Sequence, residues 1–108
     1  MEKEFYVHLF HIILVSGLFY YIGTTRDKIP KIIFSMLIGL GCFVIIYHIY
    51  KALFKNDAWV NYIHIFLVGP LLIYIGLYQD KTPRKFFEII LMLAFASFGY
   101  HLYYLLKS

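Results

Sequence analysis

Four apolar runs, each long enough to cross a lipid bilayer as a helix, leave this chain little freedom of architecture. Hydrocarbon about 30 Å thick needs roughly 20 residues of helix at a rise of about 1.5 Å per residue. The runs cover about residues 5–23, 29–54, 59–78 and 83–106. Many of their residues are β-branched or aromatic and would favour strands in water. In lipid a helix satisfies its own N–H and C=O groups, and that requirement overrides propensity. A β-barrel would show shorter segments of alternating polarity, which are absent here. Charges are confined to short gaps, so a composition 62% hydrophobic and 15% charged leaves almost nothing for a soluble domain. The expectation is one membrane domain over residues 1–108: an all-α integral membrane protein whose four transmembrane helices form an up-down-up-down bundle.

The gaps carry turn chemistry. Gly23 precedes a polar stretch, Thr24 to Pro30, that ends in proline at the next helix start. Gln79 to Pro83 repeats this, with Thr82 expected as N-cap and Pro83 at the first helical position. Lys55-Asn56-Asp57 is expected to close the second helix and cap the third, with Trp59 at the interface. Gly69-Pro70 should kink the third span. Met1-Glu2-Lys3-Glu4 lacks the basic region of a signal peptide, and no small-residue cleavage site follows the first run, which is expected to be retained.

Adding 53 to a residue number maps most of the first half of the chain onto the second without a gap. Tyr47-His48-Ile49-Tyr50 falls on Tyr100-His101-Leu102-Tyr103, His11 on His64, Tyr21-Ile22-Gly23 on Tyr74-Ile75-Gly76, and Pro30 on Pro83. The chain therefore reads as two helical hairpins in tandem, about residues 5–54 and 59–106. Each hairpin has an even number of spans, so the repeats are parallel, with an expected pseudo-two-fold axis along the membrane normal. The loops at 24–30 and 78–83, with their flanks, carry Arg26, Lys28, Lys31, Lys81, Arg84 and Lys85, against Lys3, Lys51, Lys55 and Lys107 on the other side. That excess places the hairpin loops in the cytoplasm and both termini opposite.

The same topology sets four histidines at one depth. His11 and His64 lie about one and a half turns into entering helices, and His48 and His101 about as far before leaving helices end, each about 9 Å inside one membrane face. An ionisable side chain in hydrocarbon is costly and points to function. Neutral imidazole offers an in-plane lone pair to a transition metal while its other N–H is held by a partner. His11, His48, His64 and His101 are thus the candidate ligands of a b-type haem or of a Zn or Cu ion. A haem could bridge either diagonal of the bundle, His11 to His64 or His48 to His101. Gly41 and Ala94 recur seven positions before His48 and His101 on the same stripe, where small side chains would admit a flat ring. Leu37 and Val44, and Ile90 and Ser97, complete those stripes. Tyr47, Tyr50, Tyr100 and Tyr103 flank the histidines as tautomer-fixing partners or interfacial anchors. His8 maps onto Asn61 and is expected to stand apart, at the interface.

Other chemistry is missing. No phosphate-binding glycine loop, nucleophile elbow, zinc-protease helix or Cys-x-x-Cys occurs, which argues against hydrolase, kinase and dehydrogenase activity. The lone Cys42 reads as a packing residue. Asp27, Asp80 and Glu88 sit among basic residues near the surface and read as caps or ion-paired loop residues. The formal charge of +4 flanks apolar spans and implies lipid rather than nucleic acid as partner. Three functions fit: a membrane protein holding haem or metal for electron transfer or sensing, a structural or assembly protein of a viral or organellar membrane, or a proton or ion conductor formed by a homo-oligomer.

Overall fold

A computed structural model describes residues 2–55 and 59–107, with side chains from Phe5 onward. The described chain is helical throughout apart from short turns. The first rod comprises α1 (Glu2–Phe10), a π turn (His11–Val15) and α2 (Ser16–Thr25), followed by a 3-10 turn, Arg26–Lys28. The second is one helix, α3 (Lys31–Phe54). The third comprises α4 (Trp59–Ile63), a π turn (His64–Val68) and α5 (Gly69–Tyr78), followed by a 3-10 turn, Gln79–Lys81. The fourth is α6 (Arg84–Lys107). All four rods are long and apolar enough to cross a membrane: Phe5–Lys28, Lys31–Phe54, Trp59–Lys81 and Arg84–Lys107. The expected Asn56-Asp57 cap lies outside the described residues.

The chain forms two compact units, each taking one rod from either half of the sequence. A terminal unit joins Met1–Arg26 to Pro83–Ser108, and a central unit spans Asp27–Thr82. In the terminal unit the rods run antiparallel: Gly23 lies against Phe87 and Leu91, the Tyr20 ring meets that of Phe95, and His11 meets His101. In the central unit Gly76 lies against Phe34 and Ile38, Gly41 against Gly69 and Ile73, and His48 meets His64. Gly23 with Phe87 and Leu91, and Gly76 with Phe34 and Ile38, are the same positions shifted by 53, as are the two histidine pairs.

Lipid tails are as apolar as leucine, so helices associate there through close packing rather than water exclusion, and small residues let backbones approach. The buried residues follow that logic. On α3 they are Phe34, Leu37, Gly41 and His48, and on α6 Phe87, Ile90, Ala94 and His101, all 53 apart. The histidine stripes anticipated from helical spacing are therefore the packed faces of both helices, with Val44 and Ser97 half-buried beside them. A Cβ on Gly76 would come within 2.7 Å of the Phe34 carbonyl oxygen, and one on Gly23 within 3.1 Å of that of Phe87. Neither glycine ends a helix, contrary to the turn reading of Gly23; α2 continues to Thr25.

Three local expectations are corrected. Thr82 does not cap α6: its hydroxyl is buried without a hydrogen-bond partner, and the Pro83 carbonyl takes the Phe86 N–H instead. Pro30 does the same for Ile33 and Phe34 on α3. Pro70 is not what makes the third rod irregular, because the same π turn occurs in the first rod without proline. In each turn the N–H of the following residue, Ser16 or Gly69, donates to the histidine carbonyl, of His11 or His64. A proline, which has no N–H to place, fits just after such a register shift. Cys42 is exposed rather than packed, because it sits about 100° around α3 from Gly41 and the buried stripe.

Candidate histidine sites

The four predicted histidines meet as two pairs. In the central unit the His48 and His64 rings stack with centroids 4.0 Å apart and planes 6° from parallel. In the terminal unit His11 and His101 stack at 4.2 Å and 25°. The π turns position one member of each pair, since His11 and His64 are the first residues of those turns. Single-turn π insertions shift the helical face by a residue and are frequent at functional sites. The other member lies on a straight helix and is buried: His48 is 9% exposed and His101 8%.

Hydrogen bonds fix the protonation geometry of three of these rings. His11 Nδ1 lies 2.8 Å from the Val7 carbonyl, His64 Nδ1 2.8 Å from that of Val60, and His48 Nδ1 2.8 Å from that of Val44. A carbonyl can only accept, so each Nδ1 carries the proton and donates it. In the neutral ring the lone pair then sits on Nε2, the arrangement in which an imidazole is oriented by its own helix to act as a ligand.

His101 departs from the pattern. Its Nδ1 lies 2.8 Å from Nδ1 of His8, so one of the two rings donates and the other accepts. His8 was expected to stand apart at the interface. Instead its ring lies 5.0 Å from His101 and 6.0 Å from Tyr104, nearly parallel to the latter. Sequence spacing gave no signal for this contact, because it depends on the register between the first and last rods. Position 61, the counterpart of His8, holds Asn61, which is buried at 1% exposure.

The supporting residues divide. Tyr47 and Tyr100 stand edge-on to the histidines that follow them, at 5.2 and 5.0 Å. Tyr50 and Tyr103 are exposed; Tyr103 lies beneath the Lys107 ammonium, as Tyr47 lies beneath that of Lys51. Gly41 packs against the Gly69 backbone, while Ala94 lines an open groove. Among the described residues no group of three or more His, Cys, Asp or Glu side chains is arranged to hold a metal ion. What each unit holds is one stacked pair of imidazoles. Away from the histidines, Glu88 pairs with Arg84 at 3.3 Å on the surface, while Asp27 and Asp80 are exposed. Comparison of the chain with protein-family models, with curated proteins and with solved structures finds no match.

Proposed function

We propose that this chain is a small polytopic membrane protein, built from two copies of a helical hairpin, that holds transition-metal ions on histidine pairs set within one leaflet. The observation carrying this reading is the set of three Nδ1–H bonds to main-chain carbonyls four residues back, at His11, His48 and His64. They leave the in-plane lone pair of each neutral ring on Nε2; because the rings of each pair stack, sharing one ion requires a ring to turn out of the stack. The duplication is supported by the offset of 53 shared by the buried stripes, the π turns and the histidine pairs. The basic residues of the hairpin loops favour a cytoplasmic position for them.

A two-imidazole site leaves half of a tetrahedral Zn or Cu shell to water or an incoming ligand, which suits reversible binding and sensing better than a closed structural role. Haem is the weaker form of the reading. Two axial imidazoles approach one iron from opposite faces of the macrocycle, whereas the rings within each unit lie face to face at about the thickness of a stack.

Metal analysis and Co(II) titration of the detergent-purified chain test the proposal. Up to two ions per chain are expected, with His48→Ala or His64→Ala removing one and His11→Ala or His101→Ala the other. A Soret band would replace the ion with haem. Neither metal nor chromophore would sink both forms and leave a structural membrane protein.

A further inference from the structure

The two π turns share one register shift but differ in the residue that follows it. The N–H of Ser16 donates to the His11 carbonyl, and that of Gly69 to the His64 carbonyl. An α-helix would use the next carbonyl along, of Ile12 or Ile65. The position after the shift holds Gly17 in the first rod and Pro70 in the third. A proline ring inside an α-helix collides with the carbonyl four residues earlier, here that of Phe66, and the wider π turn relieves the collision. Pro70 therefore opposes a return of the third rod to α register. Gly17 keeps its N–H and carries no side chain, and a Cβ there would meet nothing within 4 Å. Nothing at position 17 opposes the return.

We infer that the π turn of the first rod is a register switch, and that Pro70 fixes its counterpart in the third. Losing the extra residue of a π turn carries the preceding segment one residue around and along the helix, about 100° and about 1.5 Å. In α1 that step brings Leu9 to the place of His8 and Ile12 to that of His11. His8 and His11 take the places of Val7 and Phe10, which are 45% and 51% exposed. The His8–His101 hydrogen bond and the His11–His101 stack are both lost. Leu9 and Ile12 are apolar and already half-buried, so the α register still presents an apolar face to α6. One state gains regular α geometry and the other gains the histidine contacts, and this opposition makes the turn two-state. The terminal histidine cluster is thus conditional on one helical turn, whereas the His48–His64 stack is permanent. The inference rests on backbone geometry and holds with or without metal at the histidines.

Helix register shifts fall in the microsecond-to-millisecond range, so NMR relaxation dispersion on the backbone amides of the full-length protein in detergent micelles tests it. One common exchange process is expected along α1 and the first π turn, with α2 and the whole third rod quiet. Gly17→Pro should lower the population of the minor register about a hundredfold, the worth of the proline collision, and silence the exchange. Pro70→Gly should bring the same exchange to α4 and leave that of α1 unaltered. No exchange along α1, or exchange that survives Gly17→Pro in a protein of unchanged helical content, would overturn the switch. If Gly17→Pro loses helical content, Pro70→Gly decides. A third rod still quiet with glycine at position 70 would overturn the lock, and with it the stated difference between the rods.

Discussion

The terminal and central units share one plan and differ in how tightly it is closed. Both cross at a glycine near the end remote from the histidines, Gly23 or Gly76, where backbone and side chain meet at contact distance. The central unit has a second close point halfway to its histidines. A Cβ on Gly41 would lie 2.8 Å from the Gly69 carbonyl oxygen, and one on Gly69 would overlap Ile45 Cγ1. The terminal unit has Ala94 and Ser16 at those positions, and there the rods leave a groove. Two side-chain increments, a methyl and a hydroxymethyl, thus coincide with the difference between a closed seam and a cavity. For rods long and apolar enough to cross a bilayer, close approach would be set residue by residue, because in lipid no bulk hydrophobic force would draw the pair together where packing fails.

The same leucine placed at the two equivalent positions should break the comparison most strongly. Gly41→Leu drives a branched side chain into Ile73 and the Gly69 backbone and should destabilise by about 3 kcal/mol or more. Ala94→Leu adds bulk at a buried position that borders the groove rather than a closed seam, and should cost less, about 1–2 kcal/mol. Unfolding of the detergent-solubilised variants, followed by circular dichroism, measures both. Equal losses would mean that the groove is already filled or that the central seam can open.

Much of this was legible in the chain because long apolar runs and helical spacing obey simple rules. Run length gave the four rods, and helical spacing gave the packed faces of Leu37, Gly41 and His48 and of Ile90, Ala94 and His101. Carrying His11 and His64 to the level of their partners needed only the rise per residue. The π turns were not legible: a single inserted residue barely perturbs periodicity when both faces of the helix are apolar. The meeting of His8 with His101 was hidden for a different reason, since no local pattern reports the register of two rods 93 residues apart. Thr82 shows a motif misread by one residue: α6 begins at Arg84, so Pro83, expected at the first helical position, stands before it and the Thr82 hydroxyl is out of place to cap.

That hidden contact distinguishes the two histidine sites and predicts a smaller effect. If His101 donates Nδ1–H to His8, then His8 does for it what a main-chain carbonyl does for His48. Partners that orient a ligating histidine are typically worth 10- to 100-fold in metal affinity. In a His48→Ala background, which leaves the terminal pair alone, His8→Ala should lower Co(II) affinity by about tenfold or more on that scale. In a His101→Ala background the same change should leave the central site unmoved. Loss at both sites would show that His8 acts through the fold rather than through His101.

The smallest effect probes what the halves have in common. Arg26 (φ 55°, ψ −122°) and Gln79 (φ 52°, ψ −125°) occupy a left-sided conformation that L side chains rarely adopt. Each ends its rod while its N–H donates to the carbonyl of Ile22 or Ile75, so the strain is set by the helix end. Glycine reaches this region without the Cβ clash but gives the unfolded chain more freedom, and the two terms oppose. Strain of roughly 1–3 kcal/mol set against a glycine entropy cost of about 1 kcal/mol leaves a net gain of roughly 0–2 kcal/mol, centred near 1, for Gln79→Gly. Arg26→Gly should give a similar gain by the same denaturation measurement, since the backbone geometry is nearly identical. Gln79→Gly removes no charge, so it isolates the backbone contribution. An Arg26→Gly result lower by much more than the error would then assign the difference to the lost guanidinium. A loss at both sites would mean that the side chains anchor these turns more firmly than their dihedral angles oppose them.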